Sequence, residues 1–421
     1  MGTQGSISDG ELQPFRRRAR QFLDEHATPL PEEEQTRAWG VGSDAVVASG
    51  LAPGRHEPED LAAARAFQRA LFDAGLAWLT GPVHLGGGGL TPAHVAAYRA
   101  LAGRYRCPDT GVFMIGQQIV APAIAAFGGP AQQQRWLRAL WRGDAIGCQL
   151  FSEPEAGSDL ASLRTRTERS DGGWLLHGQK VWSSGAHLSD VGEVLVRTDP
   201  DVNARHRGLT MFLLDMRAPG VTVRPLRQMN GNAHFNEVFL DAVFVPDDAR
   251  LGELGQGWAV ANASLSSERD LSHDDAGLFL NPVGRFVELA DRLGAAPDPV
   301  VRQQVAAAVT RDHLARWGAA RLQAAPHPAG ASMLKLAGSD AIWRLAQDAA
   351  SVLGPDVAAD GGGWGRYAWS GLVLGAHSQR IAGGTDEIQR NLIAERGLGL
   401  PREPRPDHTA GALIPFPERR T

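Results

Sequence analysis

Lysine is nearly absent from this 421-residue chain: of its 42 basic side chains, only Lys180 and Lys335 are lysines. With 50 glycines and abundant alanine, the preference for arginine reads as GC-rich coding rather than as a functional demand. A basic excess is missing too. The balance of 42 basic against 47 acidic residues gives a formal charge of −5, so no nucleic-acid partner is expected. Cys107 and Cys148 are too few for a disulfide framework or a cysteine-rich metal site, and they fit a reducing cytosol. No apolar run reaches the roughly 18–20 residues that span a bilayer, and the N-terminus has no signal-peptide core. The chain therefore reads as cytoplasmic, with no membrane partner. What is present is ordinary globular composition, 43% hydrophobic and 21% charged. At about 150 residues per domain, the length predicts two to three domains.

The pattern along the chain changes twice. Residues 1–145 read as helical: Ser8 and Glu11 form a capping-box signature, and Leu12, Phe15, Phe22 and Leu23 follow at helical spacing. Further periodic stretches cover 59–75, 92–102, 116–127 and 131–142. A Gly86–Gly89 run between them reads as a tight loop rather than a phosphate cradle. Residues 146–255 carry short strand-like runs, including Trp174–His177, Val194–Val196, Leu209–Leu214, Val221–Val223 and Glu237–Leu240. Their turn signals have the spacing of a small β-barrel or sandwich. Residues 256–400 are helical again, with long Ala/Leu/Arg stretches, and a proline-containing tail occupies 401–421.

Three segments carry the chemistry. They are Gln149-Leu150-Phe151-Ser152-Glu153-Pro154-Glu155-Ala156-Gly157-Ser158-Asp159, Gly178-Gln179-Lys180-Val181-Trp182-Ser183-Ser184-Gly185-Ala186, and Ile381-Ala382-Gly383-Gly384-Thr385-Asp386-Glu387-Ile388-Gln389-Arg390-Asn391. In this order, within a helical–β–helical chain, they resemble the acyl-CoA dehydrogenase family of flavoenzymes over about residues 10–402. The resemblance implies an α+β multidomain fold: an N-terminal helical domain, a middle β-barrel or sandwich domain and a C-terminal four-helix bundle. It also implies FAD. Phe151 and Ser152 would hydrogen-bond the flavin's pyrimidine edge, Trp182 would cover the ring, and Ser184 would reach the neighbourhood of N5. Gly157 and Ser158 would let the backbone approach cofactor and acyl thioester. Thr385 and Glu387 would contact the cofactor at a helix start suited to anions, with Gly384 beside the substrate.

The family's reaction removes an α-proton by a carboxylate while a β-hydride leaves to the flavin. In the commonest pattern that carboxylate stands directly before the Gly-Thr of the third segment, where this chain has Gly383. A second branch, which includes isovaleryl- and long-chain-type enzymes, carries it on an earlier helix before an arginine. Leu265-Ser266-Ser267-Glu268-Arg269 occupies that place, making Glu268 the expected base and Arg269 an ordering residue at the substrate pocket. Arg292 matches a family arginine that contacts the partner subunit's FAD, although the aromatic after it is replaced by Ala295. The stretch Ser351–Pro355 also departs from a family element that reaches across the dimer. The expected activity is α,β-dehydrogenation of an acyl-CoA or acyl carrier protein thioester to the trans-2-enoyl product. Electron transfer flavoprotein or a similar carrier would be the acceptor, and the assembly a homotetramer or homodimer, with a heteromer open. A flavin oxidase or monooxygenase, or a non-catalytic partner subunit, are the alternatives on the same fold.

Overall fold

A computed structural model of the chain describes residues 9–31, 58–274 and 282–402. Helices α1 (Asp9–His26), α2 (Pro58–Asp73), α3 (Pro92–Ala102), α4 (Ala121–Phe127) and α5 (Pro130–Arg142) make the N-terminal part. On α1, Leu12, Phe15, Ala19, Phe22 and Leu23 recur at helical spacing and are buried; Ala97 and Leu101 of α3 join the last four in one cluster. The stretch before α4 is wound as a π-helical segment, Gly116–Val120. The Gly86–Gly89 run is a closed loop: the N–H groups of Gly87, Gly88 and Gly89 donate to Pro82, Trp78 and Gly81 carbonyls within it. A Cβ on Gly87 would stand 2.2 Å from the Gly81 carbonyl carbon, so only glycine fits. The loop's donors are spent internally rather than turned toward a phosphate.

The two-residue strands β1 (Thr28–Pro29) and β2 (Tyr105–Arg106) pair apart from the main sheet. The central part is one eight-stranded sheet of β3 (Gly147–Leu150), β4 (Arg166–Ser170), β5 (Gly173–Ser184), β6 (Val191–Arg197), β7 (Leu209–Asp215), β8 (Val221–Leu226), β9 (Phe235–Pro246) and β10 (Arg250–Leu251). Its order is β10-β7-β6-β4-β5-β9-β8, with β3 running parallel beside β6. Alternation splits the sheet's apolar residues between two cores. Val194, Val196, Phe212 and Leu214 fill one. Val191, Leu195, Met211 and Leu213 face the other, shared with α4, α5 and the next helix, α6 (Gly257–Asp274). The remaining helices are α7 (Pro282–Arg292), α8 (Pro299–Ala324), α9 (Gly330–Leu353), α10 (Ser370–Gln379) and α11 (Asp386–Leu392). Phe286, Ala308, Leu345, Ala349, Trp369 and Leu372 form the common core of α7 to α10. The architecture is thus helical, β-sheet, helical, with α6 lying across the sheet.

Candidate active site

The first two sequence segments meet at a bulge in β5. Lys180 pairs with Val238 and Ser183 with Asn236, so Val181 and Trp182 together oppose the single residue Glu237. The bulge turns the Val181 N–H away from β9, and it donates instead to the Ser152 carbonyl at 2.9 Å. It also places Trp182 at φ +63°, a conformation bulky residues rarely adopt, and leaves its side chain 60% exposed beside the Phe235 ring. Phe151 is buried, Ser152 and Ser184 are half-buried, and Gly157 and Ser158 lie in an exposed turn. A Cβ on Gly157 would meet open space, so no protein neighbour demands glycine there.

Lys180 locks this junction. Its side chain is 0% exposed, and Nζ donates to the Phe151 carbonyl at 3.0 Å and to Glu153 Oε1 at 2.9 Å. Glu153 also accepts from the Arg164 and Thr165 backbone N–H groups and from the Thr165 hydroxyl. Burial alone would raise the Glu153 carboxyl. The Lys180 charge and these hydrogen bonds outweigh it and hold the group below its ordinary value. Burial pushes the Lys180 ammonium down to about 8, against the pull of Glu153.

The third segment is built around Asp386, and there the other lysine is found. Asp386 accepts from Ser339 Oγ at 2.8 Å and Arg380 Nε at 2.6 Å, and Lys335 Nζ stands 3.5 Å away. Burial acts to raise Asp386, but Arg380, Ser339 and Lys335 together keep it low. Gly383 and Gly384 have φ of +65° and +88°, and their carbonyls both accept from Gln389 Nε2. Thr385 caps α11, its hydroxyl accepting from the Ile388 N–H, so that first-turn donor is taken by the cap itself. Glu387 is exposed and pairs with Arg390. Arg292 is engaged within its own chain: it pairs with Glu288 at 2.6 Å and lies 4.0 Å above the Trp364 ring.

Residues 268 and 269 sit on the last turns of α6, while the Glu268 and Arg269 side chains lie outside the described residues. One turn earlier, Ser264 is fully buried and donates to Glu193 of β6 at 2.7 Å, tying α6 to the sheet.

Models of the acyl-CoA dehydrogenase N-terminal, middle and C-terminal domains match residues 33–144, 148–243 and 255–398. The chain is 38% identical over 378 residues to the acyl-CoA dehydrogenase IpdE1 of Mycobacterium tuberculosis, across 88% of this chain and 97% of that one. The chain belongs to the acyl-CoA dehydrogenase family. A second relative, acyl-CoA dehydrogenase FadE34 of the same organism, is 41% identical over 292 residues, 67% of this chain and 39% of that one. Among solved structures, the Tcur3481-Tcur3483 steroid ACAD superposes with a TM-score of 0.75 at 23% identity, covering 94% of this chain and 99% of that one. The acyl-CoA dehydrogenase from Geobacillus kaustophilus does so with a TM-score of 0.71 at 22% identity, covering 94% and 100%. At those identities the likeness is one of fold.

The protein is thus an enzyme of the FAD-dependent acyl-CoA dehydrogenase family, and its residues suit the cofactor. The exposed Trp182 ring would offer such a group flat cover. Next to it on β5 and β9, Ser183 Oγ and Asn236 Oδ1 are buried without a hydrogen-bond partner among the described residues, as is Gln149 Nε2 on β3. Gln149 and Asp386 fall inside the motif segments, whereas Glu193 is not singled out in the sequence. A glutamate interrupting the apolar run Val191–Val196 is the one signal that could have marked Glu193.

Proposed function

We propose that this member of the family dehydrogenates an acyl thioester, CoA-linked or carried by an acyl carrier protein, between its α- and β-carbons, with Glu268 as the base. Gly383 carries the reading: the place before the Gly-Thr pair holds no side chain able to remove a proton, while the sequence of α6 places a glutamate at position 268. When bound, FAD would supply the acceptor for the β-hydride. Phe151 and Ser152 would hold the flavin's pyrimidine edge, Trp182 would cover the ring, and Ser184 would reach toward N5. Gly157 and Ser158 give the cofactor and thioester close access. Thr385 and Glu387 contact the cofactor, Gly384 borders the substrate, and Arg269 orders the pocket around the base. Glu268 takes the α-proton in a pocket that the acyl chain closes to water, where a carboxylate is a stronger base than in solution.

The active form is an oligomer, a homotetramer in the first instance, in which Arg292 turns toward the partner subunit's FAD. Exposed apolar side chains on the C-terminal helices, Val300, Leu314 and Trp317 of α8 and Met333 of α9, support association there. Electron transfer flavoprotein or a similar carrier reoxidises the enzyme in the cytoplasm; among the described residues no helix is long and apolar enough to cross a membrane. Anaerobic titration of Glu268→Gln with acyl-CoA thioesters tests the assignment. The variant keeps its flavin absorption and loses bleaching; bleaching at the wild-type rate would overturn it.

A further inference from the structure

Glu193 sits midway along β6 with a side chain that is 0% exposed, on the sheet face covered by α6. Its Oε1 accepts from Ser264 Oγ, and its Oε2 has no hydrogen-bond partner among the described residues. On the parallel neighbour β3, Gln149 stands in register with Glu193, and Gln149 Nε2 also lacks a partner among the described residues. Residues in register on adjacent strands project to the same face, so an acceptor and a donor share one polar spot under α6. The surroundings are otherwise apolar: Leu213 pairs with Glu193 from β7, and Val260 and Ala261 of α6 join the same core. None of these neighbours titrates. Burial, opposed only by the Ser264 hydrogen bond, pushes the Glu193 carboxyl up to about 8. At neutral pH the group is therefore the uncharged acid, since an unpaired buried anion would be far costlier.

Apolar packing between a helix and a sheet is non-directional, whereas a hydrogen bond fixes both distance and angle. The Glu193–Ser264 bond is thus a specific anchor in a contact that could otherwise slide. Residue 268 follows Ser264 by four positions, one turn along the same helix face. We propose that Glu193, bonded to Ser264, is a positioning residue that fixes α6 against the sheet and thereby sets where residue 268 stands in the active site. This rests on the reading of Glu268 as base. Ionisation of Glu193 strands an anion in the apolar core under α6, a burial cost that a stronger bond from Ser264 offsets only in part, so the helix–sheet contact weakens and the rate of flavin reduction falls as pH rises through 8.

The test compares the FAD-loaded wild type with Glu193→Gln, Glu193→Leu, Ser264→Ala and Glu268→Gln. Anaerobic stopped-flow reduction is followed on both sides of pH 8, using whichever of a panel of straight-chain, branched and ring-bearing acyl-CoA thioesters bleaches the wild type. Glu193→Leu and Ser264→Ala reduce roughly tenfold to a hundredfold more slowly with KM little changed, the effect of a misplaced reacting group. Glu193→Gln, which mimics the neutral acid, restores the neutral-pH rate and lacks the alkaline fall. Independently of turnover, amide hydrogen exchange over 257–274 quickens in Ser264→Ala, and above pH 8 in the wild type but not in Glu193→Gln. Wild-type rates and exchange in both Glu193→Leu and Ser264→Ala overturn the proposal, as does an alkaline limb that survives in Glu193→Gln. Should Glu193→Leu fail to fold, Ser264→Ala decides. Full bleaching by Glu268→Gln sinks the base assignment and leaves the anchor to be judged by exchange.

Discussion

Replacing Lys180 by methionine isolates the junction between the two β-domain segments. The substitution keeps a flexible apolar stem but removes the ammonium that donates to Phe151 and Glu153. Glu153 would retain three donors, the N–H groups of Arg164 and Thr165 and the Thr165 hydroxyl, yet lose its countercharge in a buried site. Breaking one side of a buried ion pair costs about 3–5 kcal/mol, because the remaining charge is stranded. At about 2–4 °C per kcal/mol, the melting temperature falls by about 6–20 °C. Circular dichroism melts measure this, with flavin fluorescence reporting cofactor release as the Phe151–Ser152 backbone relaxes. The double variant Lys180→Met/Glu153→Gln recovers part of the loss, since no anion is then left unpaired. Lys180→Arg does not rescue, because a planar guanidinium is wider than an ammonium and the site has no spare room. A Lys180→Met protein that melts within about 2 °C of the wild type would refute the reasoning, as the pair would then be worth no more than an exposed one.

Trp182→Gly removes a side chain from a left-handed backbone position, so the apoprotein melts at or above the wild-type temperature while FAD affinity falls; calorimetric titration with FAD and apoprotein melts check both. Gly87→Ala forces a Cβ into the Gly81 backbone and destabilises by more than about 1 kcal/mol, visible as a lower denaturant midpoint with an unchanged slope. Glu153 and Asp386 have folded values below their ordinary ones, so the stability they supply is present above about pH 4.5. It is lost as pH falls through their folded values, and Glu153→Gln shows a weaker acid dependence in melts taken down the pH scale.

Helix and strand types were legible because each carries its period in consecutive residues. The stretch 92–102 is a helix with those bounds, and the run 209–214 lies within β7. The stretch 116–127 read as one helix, but its first turn is π-wound, which periodicity does not distinguish. Of the site, the three segments could be found through a family resemblance. Their meeting could not, because Val181 reaches Ser152 only through a bulge set by the register of β5 against β9. Glu193 and Ser264 are 71 positions apart, and nothing local to either announces the other.

The scarcity of lysine divides the two kinds of information. Sequence alone determined the helical, β, helical order and the family, since both reside in local pattern and motif. It also suggested that the arginine preference was a matter of coding. The tertiary structure decided something different about Lys180 and Lys335: both are buried, each beside a carboxylate of a motif segment. An ammonium is a compact point charge that fits where a guanidinium fork does not. Whether a lysine is buried depends on what distant strands and helices pack around it, and that is fixed only when the chain closes on itself.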